Sequence, residues 1–146
     1  MKDTQIINSE ELILGIETSC DDTAAALVDK AGNVVAAATA SQIEVHEAFG
    51  GVYPELASRA HVESILPVVD SVIKQAQIDP QQLKAIGVTR GPGLIGSLLV
   101  GINSARGLGL GWGVPVVGIN HLRGHLRSAD LECQRVTFPA IVLLVS

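Results

Sequence analysis

Apolar positions change their period several times along the chain, and each change marks an element. Over residues 12–16 four of five side chains are large and aliphatic, as in a buried strand, and Thr18-Ser19-Cys20-Asp21-Asp22-Thr23 then supplies turn-forming side chains. Residues 24–28 read as a second strand, Asp29-Lys30-Ala31-Gly32-Asn33 as a hairpin tip, and residues 34–40 as the returning third. Gly50-Gly51-Val52-Tyr53-Pro54 breaks the chain. Across residues 55–77, Leu56, Ala60, Ile65, Val68, Val69, Val72, Ile73 and Ala76 recur at helical spacing. Pro67 removes a helical hydrogen bond there, which predicts a kink or two abutting helices. Asp79-Pro80 ends the element, and residues 84–89 read as a fourth strand.

Ten of the fifteen glycines fall between Gly87 and Gly118. Gly91-Pro92-Gly93 is a turn, and residues 94–110 read as a helix despite glycine's cost of about 1 kcal/mol per interior site. Gly96, Gly101, Ser104 and Ala105 would give that helix a thin face, able to lie close to a sheet or a ligand. A fifth strand follows at 115–119, a short helix at 121–131 and another strand at 138–145. The order β-β-β-α-β-α-β is the plan of an α/β lobe of the actin-like, ribonuclease-H-like type. Ile141-Val142-Leu143-Leu144-Val145-Ser146 repeats the opening pattern of an apolar strand running into a hydroxyl residue. Residues 1–131 are therefore expected to form one lobe including the histidine helix, and 132–146 to begin a second.

The chain has 146 residues, is 47% hydrophobic and has a mean hydropathy of +0.38, which excludes wholesale disorder and leaves no room for two full lobes. Its net charge of −5 argues against a uniformly basic nucleic-acid coat. Residues 1–73 carry 12 acids and 3 bases, whereas residues 74–146 carry 3 acids and 7 bases, so a polyanion would meet the second half. Cys20 and Cys133 are too few for a disulfide scaffold, and both are expected to be reduced and non-catalytic in a cytoplasmic setting. Met1–Glu11 lacks a secretory core, and the apolar stretch 91–119 is too interrupted to span a bilayer.

Three motifs could carry chemistry. Glu17-Thr18-Ser19-Cys20-Asp21-Asp22-Thr23 sets hydroxyls, N–H groups and three carboxylates at a strand end, where it could hold a phosphate or its cation; an ordinary hairpin connection reads the same way. In His121-Leu122-Arg123-Gly124-His125 the imidazoles are four residues apart, so on a helix both reach one metal ion, although a third ligand must come from elsewhere. Two surface histidines are the other reading. Arg90-Gly91-Pro92-Gly93-Leu94-Ile95-Gly96-Ser97 sets a helix N-terminus behind a glycine turn, suited to an anion or to close packing, and it is neither a P-loop nor a dinucleotide fingerprint. His61, on a helix, and His46, in a polar loop, read as structural or solvated.

ILGIETSCDDT, SQIEVHEAFGGVYPELASRAH, GVTRGPGLIGSLLVGINSARGLG, NHLRGHL and FPAIVLLVS, in that order, resemble the TsaD-type family that forms threonylcarbamoyladenosine in tRNA, also labelled glycoprotease or O-sialoglycoprotein endopeptidase. The resemblance covers Leu12 to Ser146. It implies transfer of a threonylcarbamoyl group from threonylcarbamoyl-adenylate to N6 of the adenosine adjacent to the anticodon. It also implies that His121 and His125 bind one divalent iron or zinc ion with an aspartate from the second lobe. Leu144, Val145 and Ser146 match the start of a substrate-contacting segment, Asp21 is the candidate acid-base or positioning residue, and Thr18, Ser19, Gly91 and Gly93 are candidate nucleotide or phosphate contacts. Implied partners are tRNA, a paralogous scaffold subunit and other pathway proteins, with no membrane. Arg90, Arg106, Arg123, Arg127 and Arg135 are the cations available for tRNA phosphates.

Asp22 stands where many relatives have Glu, and Arg123 where Glu is common, which alters charge beside the metal position. With the third ligand in the absent lobe, this chain alone is expected to be inactive. Two rivals stay open. A metal-dependent glycoprotein endopeptidase is disfavoured because no Glu follows His121, and a non-catalytic scaffold paralogue is disfavoured by the histidine pair itself.

Overall fold

Alternation settles the first strand. Leu12, Leu14 and Ile16 turn inward and are fully or almost fully buried, while Ile13, Gly15 and Glu17 take the opposite side of β1 (Ile13–Glu17). The computed structural model describes residues 12–132 and 139–144. β2 (Asp22–Val28) and β3 (Val34–Ser41) complete an antiparallel meander, and β4 (Ala85–Gly91) and β5 (Val116–Asn120) add on the other side of β1 in parallel. The sheet order is β3-β2-β1-β4-β5. The expected β-β-β-α-β-α-β order is therefore present, with two short helical pieces that the pattern did not predict, α1 (Ile43–Glu47) and a single 3-10 turn at Pro80–Gln82 capped by Asp79.

α2 (Pro54–Ala76) starts with proline in its first turn, where the missing N–H costs nothing. The two abutting helices expected at Pro67 do not form, and α2 runs through that position as one helix. Pro67 and Glu63, whose carbonyl loses its donor, both lie on the exposed side, where water can take that carbonyl. Ile65, Val69 and Val72 pack on Leu14, Leu27 and Ile86 to form the core. His46, expected in a polar loop, is buried in α1 instead, with its Nε2 3.1 Å from the Gln42 side-chain oxygen and its Nδ1 accepting from the Tyr53 N–H at 3.4 Å.

α3 (Ile95–Trp112) does have a thin face, but its register differs from expectation. Ser97, Gly101, Ala105 and Gly109, one per turn, face the sheet and are buried. Gly96 lies instead against Ser58 of α2, and Ser104 lines a groove of about 540 Å³ between α2 and α3 with Val62, Leu66 and Leu99. α4 (His121–Glu132) follows β5 directly.

α2 and α3 pack against the face of the sheet that carries the core. On the other face the register aligns Ala37, Ala26, Gly15, Gly87 and Val117 in one row across all five strands, with Thr39, Ala24, Thr89 and Ile119 in the next. Ile13, Val117 and Ile119 are exposed there. Residues 139–144 are exposed and form no strand, because none of the five described strands pairs with them. The remainder of the strand expected over 138–145 lies outside the described residues.

Candidate functional site

Three parallel strands, β1, β4 and β5, end on the same edge of the sheet, and the candidate residues sit just beyond those ends. In open α/β sheets the crevice outside the carboxyl ends of parallel strands is where ligands bind. Glu17 is the last residue of β1, Thr89 and Gly91 close β4, and His121 follows β5 immediately.

The chain brings these together around one carboxylate. Glu17 Oε2 accepts from Thr89 Oγ1 at 2.6 Å and lies 3.1 Å from His121 Nδ1, while Glu17 Oε1 accepts from the Ser19 N–H. Ser19 Oγ is also 3.2 Å from His121 Nδ1. Burial alone would raise the Glu17 carboxyl, but the bonds from Thr89, Ser19 and His121 outweigh it and hold it below the ordinary carboxylate range.

On α4, the spacing of four sets the two imidazoles side by side. Their Nε2 atoms are 3.0 Å apart, and the rings meet edge to face with centroids 4.4 Å apart. His125 is exposed and His121 only partly so. Two nitrogens converging on one point, with the second nitrogen of one ring held by a carboxylate, is the donor arrangement that suits zinc or iron. Among the described residues no third His, Cys, Asp or Glu joins the pair.

Below this level the β1 end is pinned to α3. Thr18, fully buried, donates its hydroxyl to the Ser97 carbonyl at 2.8 Å, and a Cβ at Gly101 would come within 2.3 Å of that hydroxyl oxygen. The Leu94 N–H donates to the Ser19 carbonyl at 2.8 Å. Gly93 has φ +157° and a Cβ there would strike that same carbonyl at 2.6 Å, so only glycine lets the two loops touch. Of the four expected phosphate contacts, Thr18 and Ser19 thus have their hydroxyls engaged within the chain, and Gly91 and Gly93 form the turn beside them.

Asp21 opens the next strand pair, where its carbonyl accepts from the Gln42 N–H at 3.2 Å, and its carboxylate makes no bond to either imidazole. Cys20 is a free, exposed thiol that burial and the neighbouring Asp21, Asp22 and Glu17 carboxylates push up, which suppresses thiolate. Leu144 is exposed, while Cys133, Arg135, Val145 and Ser146 lie outside the described residues. Arg90, Arg106, Arg123 and Arg127 are all exposed. His61 proves structural: fully buried, it bridges Thr23 Oγ1 at 2.7 Å and the Cys20 carbonyl at 3.1 Å, tying α2 to the start of β2.

Sequence reasoning missed the specific roles of Glu17 and Thr89. The available signal was a polar side chain closing an otherwise apolar strand in each case, at ILGIE and AIGVT.

The sequence pattern of the family described as "TsaD: tRNA N6-adenosine threonylcarbamoyltransferase" matches residues 33–146. A protein of that name from Anoxybacillus flavithermus is 48% identical over 143 residues, covering 97% of this chain and 42% of the relative. One from Nitratidesulfovibrio vulgaris is 52% identical over 135 residues, covering 92% and 37%. The chain thus spans about 40% of the length of the relatives it matches. Among solved structures, YeaZ from Pseudomonas aeruginosa aligns with a TM-score of 0.62 at 18% identity, over 82% of this chain and 49% of that one. A P. aeruginosa protein described as similar to peptidase YeaZ aligns at 0.63 and 20% identity, over 82% and 47%. The fold is of the actin-like, ribonuclease-H-like type. Among the described residues no helix is long and apolar enough to cross a membrane.

Proposed function

Because the chain belongs to the TsaD family of tRNA N6-adenosine threonylcarbamoyltransferases, we propose that it forms one lobe of such an enzyme. The full protein would move a threonylcarbamoyl group from threonylcarbamoyl-adenylate to N6 of the adenosine adjacent to the anticodon in tRNA. Residues 1–131 would be that lobe and 132–146 the start of a second. The observation that carries the reading is the meeting of the His121 and His125 Nε2 atoms, 3.0 Å apart, at the carboxyl ends of three parallel strands.

In this reading His121 and His125 hold one iron or zinc ion, with an aspartate of the second lobe completing the set. When bound, the ion supplies Lewis-acid polarisation near the carbamoyl-phosphate linkage. In the transfer, the adenine N6 forms a bond to the carbamoyl carbon, the carbon–oxygen bond to the phosphate breaks, and AMP leaves with the electron pair. The proton shed by N6 needs an acceptor, and Asp21 is the proposed one, close along the loop from Ser19. Leu144, Val145 and Ser146 lead into the proposed substrate-contacting segment, and Gly91 and Gly93 border the proposed phosphate position. The exposed Arg90, Arg106, Arg123 and Arg127 would take tRNA phosphates. A paralogous scaffold subunit and other pathway proteins are the proposed protein partners, and the proposed setting is the cytoplasm, where a tRNA substrate is found. Leu122 stands where a zinc protease needs its glutamate, which disfavours the endopeptidase.

The test uses the full-length protein with its partner proteins, threonylcarbamoyl-adenylate and tRNA, read by mass spectrometry of the nucleosides. His121→Ala and His125→Ala should each lose bound metal and lower product at least ~100-fold. Undiminished product in both variants would overturn the reading.

A further inference from the structure

In a metal-ligating histidine, the nitrogen that faces the ion is set by what the other nitrogen bonds. Here the two imidazoles differ sharply in that respect. His121 Nδ1 faces Glu17 Oε2 at 3.1 Å and Ser19 Oγ at 3.2 Å. Glu17 is itself held by two donors, the Thr89 hydroxyl on Oε2 and the Ser19 N–H on Oε1. A carboxylate has only lone pairs to offer, so a neutral imidazole beside it must carry its proton on Nδ1. Its Nε2 then presents a bare lone pair toward His125 Nε2 at 3.0 Å. His125 has no such clamp: its one described side-chain bond is that to His121, so in the metal-free chain it must supply the Nε2–H between the rings.

We propose that Glu17, braced by Thr89 and Ser19, is a positioning residue that fixes His121 in the Nδ1–H tautomer with Nε2 ready to ligate, while His125 is the ring that must change tautomer when metal enters. This rests on the metal reading above. It assigns a role to a residue that touches neither substrate nor ion and acts only through His121. The two histidines are consequently not equivalent ligands: one is set before binding, and the other is rearranged by it.

The experiment is long-range proton–nitrogen NMR of the imidazoles in the 146-residue chain and in the full-length protein, before and after addition of zinc alone, with zinc affinity measured by chelator competition. The metal-free protein should show His121 as the Nδ1–H form and His125 as the Nε2–H form, and zinc should convert only His125. Glu17→Gln, whose amide can donate to Nδ1, should mix the His121 tautomers and weaken zinc binding about 10- to 100-fold. Thr89→Val should weaken binding less and in the same direction. An Nε2–H form of His121 in the unaltered protein would overturn the proposal, and so would unchanged tautomer and affinity in Glu17→Gln. Failure of the unaltered full-length protein to bind zinc or iron would instead defeat the underlying metal reading, which keeps the two outcomes apart.

Discussion

Two glycines six residues apart in α3 should respond to the same substitution with opposite signs. At Gly101 an added Cβ would lie 2.3 Å from Thr18 Oγ1 and 3.3 Å from Thr18 Cγ2, inside the buried contact between α3 and the end of β1. Gly101→Ala gains about 1 kcal/mol of helix propensity. Against that stand overpacking of about 1–3 kcal/mol and about 1 kcal/mol for the displaced Thr18–Ser97 hydrogen bond. The net is a loss of roughly 1–3 kcal/mol, or a fall of about 3–10 °C in Tm for a chain of this size. At Gly107 nothing lies within 4 Å of the added carbon. Gly107→Ala should therefore keep the propensity gain and stabilise by about 0.5–1 kcal/mol. Urea unfolding followed by circular dichroism measures both, and Thr18→Ala in the Gly101→Ala background should recover part of the loss. A Gly101→Ala protein as stable as the parent would refute the close-packing account of this helix.

Three further outcomes follow from the geometry. Burial holds the His61 imidazole below its ordinary value despite the Cys20 carbonyl and the Glu17, Asp21 and Asp22 carboxylates that oppose it, so the unfolded chain takes up a proton first. Stability should be complete above about pH 6.5 and decline as pH falls from there through the folded value, a slope that His61→Gln should flatten in urea titrations. Thr23→Val leaves His61 Nδ1 buried without its partner and should cost about 1–3 kcal/mol in the same assay. In the full-length protein, Arg123→Ala should weaken tRNA binding and lower the salt-dependence slope by about one unit, measured by filter binding at several salt concentrations.

The architecture was legible where a period ran long enough to be read. Leu12, Leu14 and Ile16 announce β1, and five of the seven buried positions of α2, Ile65, Val68, Val69, Val72 and Ala76, follow the helical period read from the sequence. In its first turns the buried residues are Ala57 and His61, one step along from the expected Leu56 and Ala60. α1 was not legible, since five residues give barely one turn, and it is held by the Gln42–His46 contact, which no periodicity records. The thin face of α3 was foreseen but misassigned, because composition reveals an excess of small residues without saying which turn meets the sheet. At the site, the histidine pair could be read because its partners share one helix. Glu17 and His121 are 104 residues apart, and only the parallel addition of β4 and β5 beside β1 brings them into contact.

The smooth row Ala37, Ala26, Gly15, Gly87 and Val117 bears on how the polypeptide behaves when nothing is laid over it. Parallel strands ordinarily sit between two layers, and a broad oily floor left wet tends to gather whatever hydrophobic matter is at hand. Solubility and foldedness are consequently separate questions for this molecule, governed by opposite surfaces of one sheet. A charge grafted at Val117 would change how it keeps company, whereas the same charge one step earlier, at Val116, would fall among the side chains that hold it together.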